Sequence, residues 1–167
     1  MDNALQPLTS PRWREVERKA NELSELYSAP PIPALEIAER SGVDVVFANF
    51  GKASDKVAGF CDFAAAKLYV NAEDLTGRQT FTIAHELGHW LLHKHYFDKN
   101  PDDYDILPRF QSVDSNDAFE KEANFFAANL LVPKRLLKSV KGASVASLAD
   151  AFAVSRTMME YRLKNVR

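Results

Sequence analysis

The chain has 167 residues, of which 46% are hydrophobic, and is therefore long enough to bury the core of one domain. Its formal net charge of −2 argues against a protein that coats nucleic acid or membranes with a uniformly basic surface. The single cysteine, Cys61, excludes an intramolecular disulfide and a zinc site built from cysteines.

No basic N-terminal region precedes an apolar run, and no stretch approaches the roughly 20 apolar residues of a membrane span. We therefore expect a cytoplasmic protein without a membrane partner.

Two helices are predicted first, one that starts at Ser10–Pro11 and runs to Tyr27, and a short one that ends at Gly42. Three segments rich in β-branched or aromatic residues then predict the strands of a small antiparallel sheet: 43–47, 59–63 and 67–71.

Helical signals dominate the remainder of the chain. One capping box, at Thr76, opens a helix that runs to about Lys94, and a second, at Asp117, opens a helix to about Leu131. Residues 96–116 show no clear period and predict a long loop. With two or three short helices at the end, the expected fold is α+β: a small antiparallel three-stranded sheet packed with these helices, plus a helical C-terminal part.

The helix that follows Thr76 carries the segment His85-Glu86-Leu87-Gly88-His89. Residues four apart lie on the same face of a helix, so His85 and His89 direct two imidazoles to one point, as a chelated zinc ion requires. Glu86 lies about 100° around the helix, and we expect it to act as general base toward a zinc-activated water. Gly88 leaves room for another segment to pass closely.

Two chance histidines on a solvated helix are the alternative interpretation of this segment. All four histidines of the chain, however, lie between His85 and His95 on a predicted helix, which is the context that the motif requires. Metal binding is therefore the favoured interpretation.

The third ligand has candidates later on the same helix. His95 stands ten residues after His85, as in metzincin-type peptidases, but Leu92 occupies the place of the glycine that turns the chain back. Leucine favours continuation of the helix. His93 lies another turn along, too far from the point that His85 and His89 share. The alternative interpretation of His93 and His95 is a solvent-facing helix end, where a protonated histidine suits the helix dipole.

The helix after Asp117 offers two further candidates, Glu120 and Glu122. Glu120 already has a structural role as the capping-box glutamate, whereas Glu122 lies near the apolar stripe of the helix and can point toward the interior. We therefore favour Glu122 as the third ligand, and two histidines with one glutamate form a known catalytic zinc arrangement.

Two segments resemble the ImmA/IrrE family of bacterial and phage metallopeptidases: 81–93, which holds the histidines, and 120–133, which reads EKEANFFAANLLVP. The resemblance extends over roughly residues 33–163, with Val132 where methionine is common. It implies that His85, His89 and Glu122 bind zinc and that Glu86 is the catalytic base.

The resemblance also implies a metallo-endopeptidase that cleaves a helix-turn-helix transcriptional repressor, often encoded beside it, and thereby relieves repression. No residue matches an oxyanion-stabilising role in the family's pattern. Tyr104 and Tyr161 are the candidates that the sequence offers.

Two parts are expected along the chain: a zinc metallopeptidase domain with an N-terminal helix over 1–133, and a helical C-terminal extension packed on it over 134–167. The extension contains eight lysines or arginines and two acids, and 148–163 resembles a helix-turn-helix. It therefore raises a second hypothesis, a non-proteolytic metal-containing regulator that binds a repressor or DNA. Packing helices with a solvated basic face are the more common explanation of such a pattern.

Overall fold

The computed structural model describes residues 8–99, 106–110, 117–140 and 142–166. Within these ranges the helices are α1 (Trp13–Ser24), α2 (Ala34–Arg40), α3 (Thr76–Lys99), α4 (Ala118–Leu131), α5 (Lys134–Lys138), α6 (Val145–Phe152) and α7 (Arg156–Asn165). The strands are β1 (Asp44–Ala48), β2 (Val57–Asp62), β3 (Lys67–Asn71) and β4 (Ile106–Phe110), and a short 3-10 helix spans Gly51–Ala53. The α+β class is confirmed. No helix in the described part of the chain is long and apolar enough to cross a membrane.

The sheet differs from the predicted three-stranded antiparallel sheet in strand number and in direction. Its order is β1-β3-β2-β4, and β1 runs parallel to β3, whereas β2 is antiparallel to both of its neighbours. The predicted hairpin of β2 and β3 is present. In a sheet whose strands all pair with their neighbours in sequence, β1 would lie beside β2. Instead, β3 lies between β1 and β2, because the connection through Gly51–Ala53 carries the chain past the neighbouring position.

Strand β4 lies within the span that the sequence predicts as a loop. It pairs with β2 at one edge of the sheet and contains Pro108. Proline cannot donate a ladder hydrogen bond and is tolerated at sheet edges, so this strand lacks the usual sequence signal. Helix α3 also extends into the span, to Lys99. The rest of the predicted loop, 100–105 and 111–116, lies outside the described residues.

Helix α3 lies close against the sheet because β2 contains Gly59. A Cβ atom at Gly59 would collide with the Tyr69 carbonyl oxygen and would lie 2.6 Å from Cγ2 of Thr82 in α3. On this side of α3, Ile83 and Leu87 enter the buried core that the sheet shares.

Helices α3 and α4 also approach closely, at Gly88. A Cβ atom at Gly88 would lie 3.0 Å from Cδ1 of Phe126 and 3.3 Å from Cα of Ala123. The close passage of another segment at Gly88 is therefore as predicted. This contact sets the start of α4 beside the histidines of α3.

Helix α1 packs on α4, where Trp13 and Phe125 meet edge to face with ring centroids 4.9 Å apart. At the other end of α1, Arg135 donates hydrogen bonds to the carbonyl oxygens of Ser24 and Tyr27. The N-terminal helix is therefore held against the helices that carry the candidate site.

The C-terminal helices share a core with α4, to which Phe152 and Met159 contribute. Arg162 in α7 is only 4% exposed and donates from Nε to the Val132 carbonyl oxygen at 2.9 Å and from Nη2 to Oδ1 of Asn129 at 3.1 Å. These contacts attach α7 to the end of α4. The proposed division of the chain at residue 133 stays a prediction.

Candidate metal centre

Three histidines lie on one buried face of α3. His85 and His89 have no exposed surface, and His93 is 2% exposed. The ring centroids of His85 and His89 are 4.9 Å apart, and those of His89 and His93 are 5.0 Å apart, as a spacing of four residues in a helix requires. The structure thus brings the two predicted ligands together. It also buries His93 beside them, which excludes a solvent-facing helix end for that residue.

Glu120, in the first turn of α4, faces the first two of these histidines. Its Oε1 lies 2.7 Å from Nε2 of His89, and its Oε2 lies 3.2 Å from Nε2 of His85. One potential ligand atom from each of the three residues lies within 4.8 Å of the other two. Asp117 caps the start of α4 by accepting hydrogen bonds from the backbone N–H groups of Phe119 and Glu120.

Glu122, the third ligand favoured from the sequence, is not brought to His85 and His89. Its fully buried carboxylate accepts a hydrogen bond from Nε2 of His93 at 2.9 Å. It accepts three more from Arg12, from the backbone N at 2.7 Å, Nε at 3.0 Å and Nη2 at 2.8 Å. Residues two apart do not share a helix face, so Glu120 and Glu122 contact different histidines.

Glu120 is less favoured by the sequence because the capping box gives it a structural role. In the structure, the side chain of Asp117 caps the helix, and both carboxylate oxygens of Glu120 lie against histidine nitrogens. His93 follows His89 by four residues, and this spacing in the sequence indicates that both lie on the same face of α3. The sequence contains no comparable signal for Arg12, which meets Glu122 from 110 positions away.

His95 does not belong to the cluster. It is exposed, and its ring lies against Tyr96 with the centroids 4.2 Å apart. Helix α3 continues through Leu92 as the sequence predicts, so the chain does not turn back toward His85.

The contacts of Glu120 shift the pKa values of the cluster. Burial works to raise the pKa of Glu120, but hydrogen bonds with His85 and His89 outweigh it and hold this pKa well below its ordinary value. Burial works to lower the pKa of His89, but the hydrogen bond and charge of Glu120 raise it. Glu120 is therefore an ionised carboxylate at neutral pH, which is the form that binds metals.

Asn124, one turn along α4 from Glu120, sets the orientation of the His85 ring. Its Oδ1 lies 2.8 Å from Nδ1 of His85. Because an amide oxygen can only accept, Nδ1 of His85 carries the proton and Nε2 offers a lone pair toward the cluster. Such a partner on the far nitrogen is typical of metal-binding histidines.

Glu86 has no exposed surface and lies four residues after Thr82, which approaches Gly59 of β2. Burial is the main cause of the raised pKa of the Cys61 thiol in β2, and the charge of Glu86 raises it further. The same carboxylate also contributes to the raised pKa of His89. Glu86 thus lies close enough to both the metal cluster and β2 for its charge to act on each.

A groove of about 590 Å³ opens beside His85. Phe81 and Asn124 form one wall, and both contact the His85 ring. Helix α7 contributes Met158 and Tyr161, and Tyr161 is 53% exposed. The other tyrosine candidate, Tyr104, lies outside the described residues.

The donor set fits a catalytic zinc ion. Two imidazole nitrogens and a carboxylate leave a fourth tetrahedral position, and zinc bonds of roughly 2.0–2.1 Å separate neighbouring ligand atoms by about 3.3 Å. The distances of 2.7 Å and 3.2 Å from Glu120 to the histidine nitrogens are close to that separation. Iron and manganese accept the same ligand types.

The chain is similar to a family model, to a known protein and to a solved structure. The Peptidase M78 family model, described as the IrrE N-terminal-like domain, matches residues 38–164. Metallopeptidase ImmA of Bacillus subtilis (strain 168) is 27% identical over 113 residues, which are 63% of this chain and 60% of that protein. A solved structure titled "Mycobacterium tuberculosis transcriptional regulator" has a similar fold, with a TM-score of 0.62 and 20% identity over 90% of this chain and 46% of that one. The chain therefore spans less than two thirds of either relative.

Proposed function

This chain belongs to the ImmA/IrrE family of metallopeptidases, and on that premise we propose that it is a zinc-dependent endopeptidase. The observation that carries the proposal is the meeting of His85, His89 and Glu120, three suitable ligands, beside the buried carboxylate of Glu86. Glu120 replaces Glu122 as the proposed third ligand, because both oxygens of Glu122 are occupied by Arg12 and His93.

The proposed chemistry is hydrolysis of a peptide bond. A zinc ion held by His85, His89 and Glu120 would supply a Lewis acid, which would polarise the scissile carbonyl and lower the pKa of a bound water to roughly 7. Glu86 accepts the proton of the attacking water and then delivers it to the leaving amine. Its burial excludes bulk water from this proton transfer, and Asn124 keeps His85 in the tautomer that leaves Nε2 unprotonated.

A helix-turn-helix transcriptional repressor is the proposed substrate, in line with the family resemblance. The groove beside His85 supports a peptide substrate, since it combines the apolar side chains of Phe81 and Met158 with the polar groups of Asn124 and Tyr161. A chain segment in this groove would pass Phe81 and Asn124, which both contact the proposed ligand His85. Cleavage would then relieve repression.

The alternative function in DNA binding receives less support from the C-terminal helices. Helices α6 and α7 form a helix pair, but Arg162 is buried and bonded to α4, and Arg135 is engaged with backbone carbonyl oxygens of the α1 end. Two of the eight basic residues of 134–167 therefore donate their hydrogen bonds to other parts of the same chain. A non-proteolytic regulator remains the alternative that an experiment must separate from a peptidase.

The variant Glu86→Gln distinguishes a peptidase from a non-proteolytic regulator. The variant removes the proton acceptor but preserves side-chain size, so we expect parent zinc content, parent stability and no cleavage of a repressor encoded beside this protein. The parent protein and an exposed control, Glu73→Gln, should both cleave it. If Glu86→Gln relieves repression as well as the parent, peptide hydrolysis is not the function.

A further inference from the structure

Four side chains form a continuous hydrogen-bonded line from the N-terminal helix to the candidate metal centre. Nδ1 of His89 lies 2.8 Å from Nδ1 of His93, and Nε2 of His93 lies 2.9 Å from Oε1 of Glu122. Glu122 in turn accepts hydrogen bonds from the backbone N, Nε and Nη2 of Arg12. We call these residues, Arg12, Glu122, His93 and His89, the relay.

The relay permits only one arrangement of protons when His89 binds a metal through Nε2. An ionised carboxylate has no proton to donate, so Nε2 of His93 must donate to Glu122. A neutral imidazole has one donor and one acceptor nitrogen, which makes Nδ1 of His93 the acceptor. Nδ1 of His89 must then donate to it, and Nε2 of His89 presents its lone pair toward His85 and Glu120.

Arg12 holds the end of the relay in the required state. Its guanidinium donates to the fully buried carboxylate of Glu122 from Nε at 3.0 Å and from Nη2 at 2.8 Å. A positive charge at hydrogen-bond distance favours the ionised form of a buried carboxylate. Phe119 packs edge to face against the His93 ring with the centroids 4.8 Å apart, which restricts its rotation.

We propose that Glu122, anchored by Arg12, is a positioning residue that sets the tautomer of the metal ligand His89 through His93. This inference rests on the proposed zinc site and gives Glu122 a role other than that of a ligand. It also gives the N-terminal segment a role in metal binding, although Arg12 lies outside the span 38–164 that the family model matches. Partners on the far nitrogen of a metal-binding histidine typically change metal affinity by about 10–100-fold.

The direct test is the position of the imidazole protons in the zinc-loaded protein. Long-range ¹H–¹⁵N correlation spectra of protein labelled at histidine distinguish the two neutral tautomers. We expect the proton of His93 on Nε2 and that of His89 on Nδ1. A proton on Nδ1 of His93 would overturn the proposal, and this readout requires no variant to fold.

A second test measures zinc affinity by competition with a chromogenic chelator. Glu122→Gln and Arg12→Gln should weaken zinc binding about 10–100-fold, and Arg12→Lys should restore part of the affinity because it returns the positive charge. Trp13→Leu is the matched control, since it loosens the same contact between α1 and α4 without touching the relay, and should stay within about twofold of the parent. Parent-like affinity in Glu122→Gln would refute the relay.

The zinc site itself is tested separately by Glu120→Gln. Loss of zinc in Glu120→Gln with parent affinity in Glu122→Gln would reject the relay but retain the metal site. Parent affinity in Glu120→Gln would instead reject the ligand set from which the relay was inferred.

Discussion

Nε2 of His89 and Oε1 of Glu120 lie 2.7 Å apart although the two residues are separated by 31 positions along the chain. They belong to different helices, and the contact exists because Gly88 lets α3 and α4 pack closely enough for the first turn of α4 to reach the histidines. The metal ligands proposed here therefore depend on a helix–helix contact as much as on the residues themselves.

Replacement of Glu120 tests this relationship most directly. Glu120→Gln removes the negative ligand, and we expect less than one tenth of the parent zinc content after passage through metal-free buffer. Glu73→Gln, at an exposed position, should retain full zinc. Zinc per chain is measured by atomic emission, and a stoichiometric zinc content in Glu120→Gln would contradict the assignment.

Alanine at Gly88 should destabilise the fold by forcing α3 and α4 apart. Its Cβ would lie 3.0 Å from Phe126, whereas a Cβ at Gly77, also in α3, would meet nothing closer than 3.9 Å. We expect Gly88→Ala to be less stable than Gly77→Ala by about 1–3 kcal/mol, as for other overpacked contacts. Urea denaturation of both variants gives this difference directly. Equal free energies of unfolding would show that the helix contact is not tight.

Zinc should stabilise the protein, since the three ligands come together only in the folded chain. At a free zinc concentration of 100 times Kd, the stabilisation is about 2.7 kcal/mol. For a chain of this size that corresponds to a rise in Tm of about 5–10 °C. Differential scanning calorimetry with zinc and with chelator measures the shift, and His85→Ala should abolish it. A parent Tm that is independent of zinc would contradict the site.

Arg162 should contribute to stability rather than to binding of nucleic acid. Arg162→Leu leaves the Val132 carbonyl oxygen and Oδ1 of Asn129 without these hydrogen bonds, and we expect a loss of about 2–4 kcal/mol. Arg156→Leu, at an exposed position of α7, should change the free energy of unfolding by less than about 0.5 kcal/mol. Chemical denaturation distinguishes the two, and equal effects would show that the buried contacts of Arg162 are not stabilising.

Much of the fold was accessible from local sequence patterns. Helix α4 starts at its predicted Asp117 cap, and the hairpin of β2 and β3 is where the β-rich segments place it, because caps and alternation act over only a few residues. Pairing of β1 with β3 and the edge strand β4 were not predicted, since strand order depends on contacts between distant segments.

The sequence by itself determined one half of the candidate site. His85, Glu86 and His89 lie on one stretch of a single helix, and the helical period alone decides which of their side chains can converge. Gly88 could likewise be recognised as a position of close approach, because the absence of a side chain is visible in the sequence.

Only the tertiary structure favours Glu120 over Glu122 as the proposed third ligand. Both lie in the first two turns of α4. The preference depends on which histidine of α3 each one reaches and on Arg12, which bonds Glu122 from 110 positions away in the chain. No local sequence pattern predicts the contact of Glu120 with the histidines or that of Arg12 with Glu122. The helical period specifies which residues share a face, but the packing of that face against another helix is settled by side-chain contacts across the whole core.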